Sequence, residues 1–379
     1  MRKSFLLAAT LYLATAGVLS MAKEAFDITK IDKYMQIRKA DETGLLWRDA
    51  AEQPFEISGL HWFKQDKCYH RIPAEKMDGL RPSLIKLAKC TAGVQLRFKS
   101  NTSRIVLAIS VPPCKQSSLQ APAGQSGFDL YVDGVYWTCV QHPDTSAPYT
   151  FEIYRADNSR MHEFTLNFPL YNGVNWLKVG LDEKALLEAP SPRALENPIV
   201  IYGTSITQGG AASRPGMAFT NIISRKLNVD ILNFGFSGNG QNDLKVAEIL
   251  AEIEKPAMYI IDSEANSVSA QMLNERVPKF LDILRQSHPA VPILVLSKVK
   301  YGPRYAAECP VFKEEFMKIV ADRRLAGDSN IHFLDGSDFF GPDDEYFDCT
   351  TDSAHPNDLG FYRMAKAIAP VIQKLLNLN

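Results

Sequence analysis

The spacing of apolar positions along the chain changes character once. From about residue 33 to 185, short runs alternate apolar and polar residues: "VQLRFKS", "RIVLAIS", "FDLYVDGVYW", "YTFEIYR", "HEFTLNF" and "VNWLKVGL". Each has strand length and is rich in β-branched or aromatic side chains, and "SNTS", "VDG", "RADNS" and "YNG" supply turn chemistry between them. Asp133-Gly134 predicts a two-residue hairpin turn. With no amphipathic helix evident, this half reads as a β-sandwich domain over residues 23–185.

"LLEAPSPRALENP" carries three prolines, and residues 186–196 read as a linker. Beyond it, uninterrupted apolar runs ("PIVIYG", "VDILNFG", "AMYIID", "PILVLS", "IHFLD") alternate with helical stretches such as "DLKVAEILAEIE", in which Leu244, Ala247, Ile249, Leu250 and Ile253 share a face. Continuous apolar strands suit a parallel sheet covered on both sides. Five strand-helix repeats over residues 197–379 predict a flavodoxin-like, doubly wound α/β fold. Such a sheet places its site beyond the strand C-termini, near the switch in strand order.

Composition adds three constraints. Of 379 residues, 46% are hydrophobic and 22% charged, as in a packed globular protein, and 42 Lys plus Arg nearly cancel 43 Asp plus Glu. No basic excess points to nucleic acid. The N-terminus has a positive "MRK", an apolar "SFLLAATLYLATAGVL" and small residues at Ser20 and Ala22, the pattern of a signal peptide over residues 1–22. The apolar run is short of the ~20 residues that span a bilayer. The expectation is an exported chain, periplasmic or extracellular, without a membrane span once cleaved. Six cysteines in an exported protein permit disulfides. Cys309 and Cys349, alone in the second half, suggest a pair.

The candidate chemistry begins in "GTSITQGG", residues 203–210, directly after the first parallel strand. A phosphate-binding P-loop would need a Gly-Lys-Ser or Gly-Lys-Thr ending, and this loop has no lysine; the glycines of 203–210 and of "GFSGNG" miss the dinucleotide spacing as well. A nucleophilic serine demands a base and an orienting carboxylate. "TDSAHPNDLGF" offers Asp352 and His355, three apart, in a loop before the last helix that returns to the same sheet edge. An Asp-x-x-His pair could also hold a metal, but the chain has no H-E-x-x-H and no clustered histidines, so no metal or other cofactor is expected. His332 falls inside a strand and reads as packed. Asp262 and Glu264 lie near the site in sequence without an evident role.

"YGTSIT", "NFGFSGNG", "DSEAN" and "DSAHPND" together, and in this order, resemble the signature blocks of the SGNH, or GDSL-like, hydrolases, over residues 197 to 377. "SGFDLYVDG" resembles the Gly-x-Asp-Leu-Tyr pattern of a β-rich region that precedes some members. The resemblance implies a serine nucleophile, Ser205, with Asp352 and His355 completing a triad. It further implies an oxyanion hole made by the Ser205 N–H, Gly238 and Asn266. Two blocks depart from the family: Thr204 stands where it has Asp, and "SEANS" replaces its Gly-x-Asn-Asp. The expected function is an esterase acting on short acyl groups, acetyl esters of carbohydrates first, because the loops around Ser205 are small and polar. Trp137, Tyr131 and Tyr136 are candidates to stack on sugar. A lipid acyl hydrolase or thioesterase, or a carbohydrate-binding protein with an inactive second half, remain alternatives.

Overall fold

The computed structural model describes residues 26–32, 40–142, 144–157, 160–306 and 311–378; the suggested signal peptide and Cys309 lie outside these residues. The chain divides into two units, residues 1–38 and 39–379. In the first, the described residues hold a single 3-10 turn, Ile28–Lys30, capped by the Asp27 side chain.

The second unit contains three sheets. Its strands are β1 (Leu45–Asp49), β2 (Glu56–Ser58), β3 (Gln95–Ser100), β4 (Arg104–Ser110), β5 (Phe128–Val132), β6 (Val135–Val140), β7 (Tyr149–Arg155), β8 (His162–Asn167), β9 (Trp176–Asp182), β10 (Leu187–Glu188), β11 (Ile199–Gly203), β12 (Ile231–Gly235), β13 (Met258–Asp262), β14 (Ile293–Leu296) and β15 (Ile331–Leu334). One antiparallel sheet runs β1-β9-β4-β7; a second runs β10-β3-β8-β5-β6, with β2 also paired to β3. Phe98, Phe128 and Phe164 of the second sheet and Leu107, Phe151 and Val179 of the first belong to one buried core. Period-2 alternation produces this, since alternate side chains of each strand point the same way. The β5–β6 hairpin turns at Asp133 and Gly134, with φ of 50° and 77°. Two successive left-handed residues match the twist of the strands they join.

The region is not wholly β. Pro82–Ala88 forms a helix, entered through a proline at its first turn, that was not evident from the sequence. Seven residues give barely two turns, too few for a helical period to stand out. Leu84 and Ala88 pack with Phe234, Val246 and Leu250 of the following α/β region.

That region is built on a five-stranded parallel sheet in the order β12-β11-β13-β14-β15. The reversal of direction after β11 is the switch point that the flavodoxin-like order predicts. All five residues of β11, of β12 and of β13 are buried, as an apolar run covered on both faces should be. On one face Val200, Tyr202 and Ile261 meet helices Leu244–Ala251, Ala270–Ser287 and Lys313–Leu325. On the other, Ile199, Ile201 and Ile260 meet Phe219–Leu227 and Asp358–Leu376. Within Leu244–Ala251 the buried face holds Val246 in place of the expected Leu244, which lies in the first turn and is 36% exposed. Among the described residues no helix is long and apolar enough to cross a membrane.

Candidate active site

β11 ends at Gly203, and the chain turns at once into a four-residue helix, Ser205–Gln208. Only glycine fits at 203, because a Cβ there would stand 2.0 Å from Thr207 Oγ1 and 2.6 Å from the Asp262 carbonyl. Thr204, found where the family has an aspartate, caps the helix. Its Oγ1 accepts from Ile206 N (3.3 Å) while Thr207 Oγ1 accepts from Thr204 N (3.2 Å), a reciprocal capping box. The substitution therefore keeps an N-cap acceptor at this position. Thr207 donates in turn to Asp262 Oδ2 at 2.6 Å. Asp262 and its hydroxyl partner thus brace the turn that holds Ser205. Burial pushes the Asp262 carboxyl up to about 7, with the Thr207 hydrogen bond opposing.

Ser205 is itself largely buried. Its Oγ lies 2.9 Å from His355 Nε2, and its carbonyl accepts from Gly210 N at 2.7 Å. His355 Nδ1 lies 2.9 Å from Asp352 Oδ2. The same carboxylate also takes hydrogen bonds at Oδ1 from His355 N (2.7 Å) and Ala354 N (3.1 Å), so one side chain shapes its own loop and orients the ring. Burial raises the Asp352 carboxyl, but the His355 and Ala354 donors outweigh it and hold the group below its ordinary range. An ionised carboxylate at Nδ1 favours the tautomer with its proton there, leaving Nε2 as acceptor for the Ser205 hydroxyl proton. Asn357 caps the last helix, its Oδ1 accepting from Gly360 N at 3.1 Å, and this anchors the loop on a rigid element. Ser205, His355 and Asp352 are thus assembled as one hydrogen-bonded chain.

Gly238 lies in the turn after β12 with φ of 66°, a left-handed conformation that favours glycine. Asn266 ends a 3-10 turn after β13, and its Oδ1 accepts from Gly240 N at 3.1 Å. The two expected oxyanion residues are therefore linked, turn to side chain, at the strand ends flanking β11. Glu264 has a structural explanation that its sequence position did not disclose. Its buried carboxylate receives Lys298 N (2.8 Å) and Phe312 N (2.9 Å), tying together the two ends of the segment after β14. Burial raises its pKa, against those backbone donors.

The β-rich region reaches the same loops. Gln120 Oε1 accepts from Ala211 N (2.7 Å), supporting a non-glycine residue at φ 72°. Tyr171 Oη donates to the Ser205 carbonyl at 3.3 Å. Asp129, the aspartate of the Gly-x-Asp-Leu-Tyr pattern, is fully buried. It accepts from Arg214 Nη1 (2.6 Å), Gly216 N (2.8 Å) and Asn167 Nδ2 (2.8 Å). Tyr131 also accepts from Arg214, at 2.8 Å, and the Tyr136 ring lies 3.8 Å from that guanidinium. Tyr131 and Tyr136 thus hold the segment following Ser205. Trp137 is 46% exposed and packs beside Tyr154. His332 sits in β15, half-buried, with Nε2 3.3 Å from Asn330 Oδ1. Cys349 is a buried free thiol whose Sγ lies 3.7 Å from the Phe340 carbonyl, so the suggested bridge is not formed at its described end.

Comparison with known proteins agrees with this architecture. Residues 196–373 match the GDSL-like lipase/acylhydrolase family, and residues 45–187 match the N-terminus of Esterase_SGNH_hydro-type, the GxDLY region. A protein of Bacteroides ovatus ATCC 8483, described as a GDSL-like lipase, is 29% identical, with 88% of this chain and 99% of that one aligned at a TM-score of 0.80. The salicylyl-acyltransferase SsfX3 of a tetracycline biosynthetic pathway is 19% identical and shares the fold at 0.73, over 89% and 99% of the two chains. The acetyl xylan esterase Est2A of Butyrivibrio proteoclasticus, 13% identical, does so at 0.57 over 89% and 100%. No curated protein matches. Two family models that between them span most of the chain, and a full-length structural relative, establish that this protein is an esterase or acylhydrolase of the SGNH (GDSL-like) family, of the form that carries a GxDLY N-terminal region.

Proposed function

We propose that the protein is a serine esterase that removes short acyl groups, acetyl first, from carbohydrate esters, and that it works after export. The observation that carries the serine mechanism is the chain Ser205 Oγ–His355 Nε2–Asp352, with 2.9 Å at each link to the imidazole. Ser205 Oγ attacks the ester carbonyl as its proton passes to His355 Nε2. The Asp352 carboxylate stabilises the imidazolium. The N–H groups of Ser205 and Gly238, with the Asn266 side-chain amide, receive the developing oxyanion. His355 returns its proton to the departing alkoxide, and the sugar hydroxyl leaves. Water then loses a proton to His355 and attacks the acyl-serine; as the bond to Ser205 Oγ breaks, His355 returns that proton to the serine oxygen, releasing the carboxylic acid and regenerating Ser205 and neutral His355.

The acetyl reading rests on the loops. Residues 204–216 and 236–243 bring mainly Ser, Thr, Gly, Ala, Asn and Gln to the site. A fatty chain would need apolar wall, since each methylene removed from water is worth about 0.8 kcal/mol. Carbohydrate as the alcohol part is supported by relatives of the same fold: besides Est2A, a family two carbohydrate esterase of Clostridium thermocellum was solved with cellohexaose. A p-nitrophenyl ester series from acetate to palmitate, run beside acetylated xylan, tests the proposal. Highest kcat/KM on acetate and release of acetate from xylan are expected. A kcat/KM that climbs through octanoate would replace this reading with a lipid acyl hydrolase.

A further inference from the structure

Arg71, in the β-rich region, is 1% exposed, yet its guanidinium meets no carboxylate among the described residues. Its donors go to four backbone carbonyls, with a longer bond from Nη1 to Asn233 Oδ1 at 3.5 Å. Nε bonds Cys90 O (2.9 Å) and Nη2 bonds Leu87 O (2.6 Å), within its own region. Nη1 bonds Asn233 O (2.9 Å) and Gly235 O (2.7 Å), at the end of β12. The Phe236 ring lies 4.8 Å from the guanidinium carbon. A buried charge without a counter-ion is costly to fold around. Burial here pushes the guanidinium down to about 10, still protonated at neutral pH. A bridge between two regions needs no such charge. A neutral amide or an apolar contact would serve it.

Two of the carbonyls that Arg71 grips, those of Asn233 and Gly235, lie where the turn carrying Gly238 departs from β12. Gly238 follows Gly235 by three residues, and Phe236 N donates back to Gly203 O at 3.0 Å, beside the Ser205 turn. Asn233, fixed at its carbonyl by Arg71, uses Nδ2 to hold the Thr207 carbonyl (2.7 Å) inside the Ser205 helix. One guanidinium therefore fixes both the strand end that leads to Gly238 and the residue that holds the nucleophile turn. We propose that Arg71 is a positioning residue for the oxyanion hole: it sets the turn that carries the Gly238 N–H and supplies an uncompensated buried positive charge that favours the anionic tetrahedral intermediate over the neutral ester. The inference rests on the serine esterase reading above. Preorganised charge and donors act on the transition state more than on bound substrate, so their loss falls on kcat.

The test compares wild type with Arg71→Gln, which keeps donors but loses the charge, and Arg71→Lys, which keeps the charge but loses the fork. Two readouts are followed: kcat and KM on p-nitrophenyl acetate, and inhibition by a small boronic acid, whose tetrahedral adduct on Ser205 is anionic. The expected result for Arg71→Gln is a kcat lower by about 10- to 100-fold, with KM within about twofold and boronate affinity falling in step with kcat. Arg71→Lys should lie between. Phe236→Leu, which removes the ring beside the guanidinium and leaves its hydrogen bonds, should lower both readouts a few-fold, and it serves as the variant of record if Arg71→Gln does not fold. An active, folded variant with a lowered melting temperature but unchanged kcat and boronate affinity overturns the inference alone, as does a rise confined to KM. A wild type with neither esterase activity nor boronate binding overturns the esterase reading and this inference with it.

Discussion

Replacing Asp129 with alanine probes how the β-rich region holds the segment after Ser205. The side chain is 0% exposed and accepts three hydrogen bonds, from Arg214, Gly216 and Asn167. Its removal leaves a guanidinium whose side chain is only 18% exposed, and two further donors, without their acceptor. Breaking a buried ion pair from one side costs about 3–5 kcal/mol. Tyr131 and Tyr136 still contact the stranded guanidinium, and part of it reaches water, which places the expectation near the lower figure, about 3 kcal/mol. Arg214→Met alone should cost a similar amount, because it strands the carboxylate. The double variant should lose about 2 kcal/mol less than the sum of the two, the coupling expected of partners in direct contact. Urea unfolding followed by tryptophan fluorescence measures all four corners of this cycle. Esterase kcat should fall at least tenfold in each single variant, since the freed segment, residues 211–216, leads directly from the Ser205 turn. Additive losses, or a single-variant cost under 1 kcal/mol, would refute the reasoning.

Three further outcomes follow from the site. Asp262 has a folded-state pKa of about 7 against an ordinary value of 3.8. Its contribution to stability is present below pH 4 and lost as pH rises through 7, by about 4 kcal/mol as an upper figure. Asp262→Asn should flatten the stability profile between pH 4 and 8, and urea midpoints that stay parallel to wild type across that range would contradict this. Asn266→Ala should lower kcat by about 10²–10³ with little change in KM, as removal of an oxyanion donor does; an unchanged kcat would remove Asn266 from that role. Asp352→Asn should leave the protein folded and lower kcat severely by favouring the wrong imidazole tautomer, and steady-state kinetics equal to wild type would transfer the orienting role to another group.

What the sequence disclosed and what it withheld divide along physical lines. The strands of the parallel sheet were legible because burial on both faces demands continuous apolar runs, and Ile199–Gly203 and Met258–Asp262 are such runs. Ser205, Asp352 and His355 stood out because each sits in a short block of distinctive composition, the last two only three residues apart, and the structure joins the three by hydrogen bonds. The helix Pro82–Ala88 was not, being too short for its period to show against the strands around it. Contacts between distant segments were equally hidden. Asp129 meets Arg214 across 85 residues and Arg71 meets Gly235 across 164, and nothing local in either segment marks its partner. Asp262 was visible as a residue near the site but not as a brace, because its role depends on the Thr207 hydroxyl that the turn after β11 brings against it. The Cys309–Cys349 suggestion drew on adjacency of loops, whereas Cys349 lies inward against the Phe340 carbonyl.

The proposed catalysis requires Ser205 to be a nucleophile activated by His355. A fluorophosphonate reports this directly, because its phosphorus bonds only a serine oxygen made reactive by its surroundings. Treatment of the full chain followed by peptide mass mapping should place a single adduct on Ser205. Ser205→Ala should abolish the labelling, and His355→Ala should slow it by several orders of magnitude. An adduct on another residue, or labelling of Ser205 at the same rate without His355, would contradict the account.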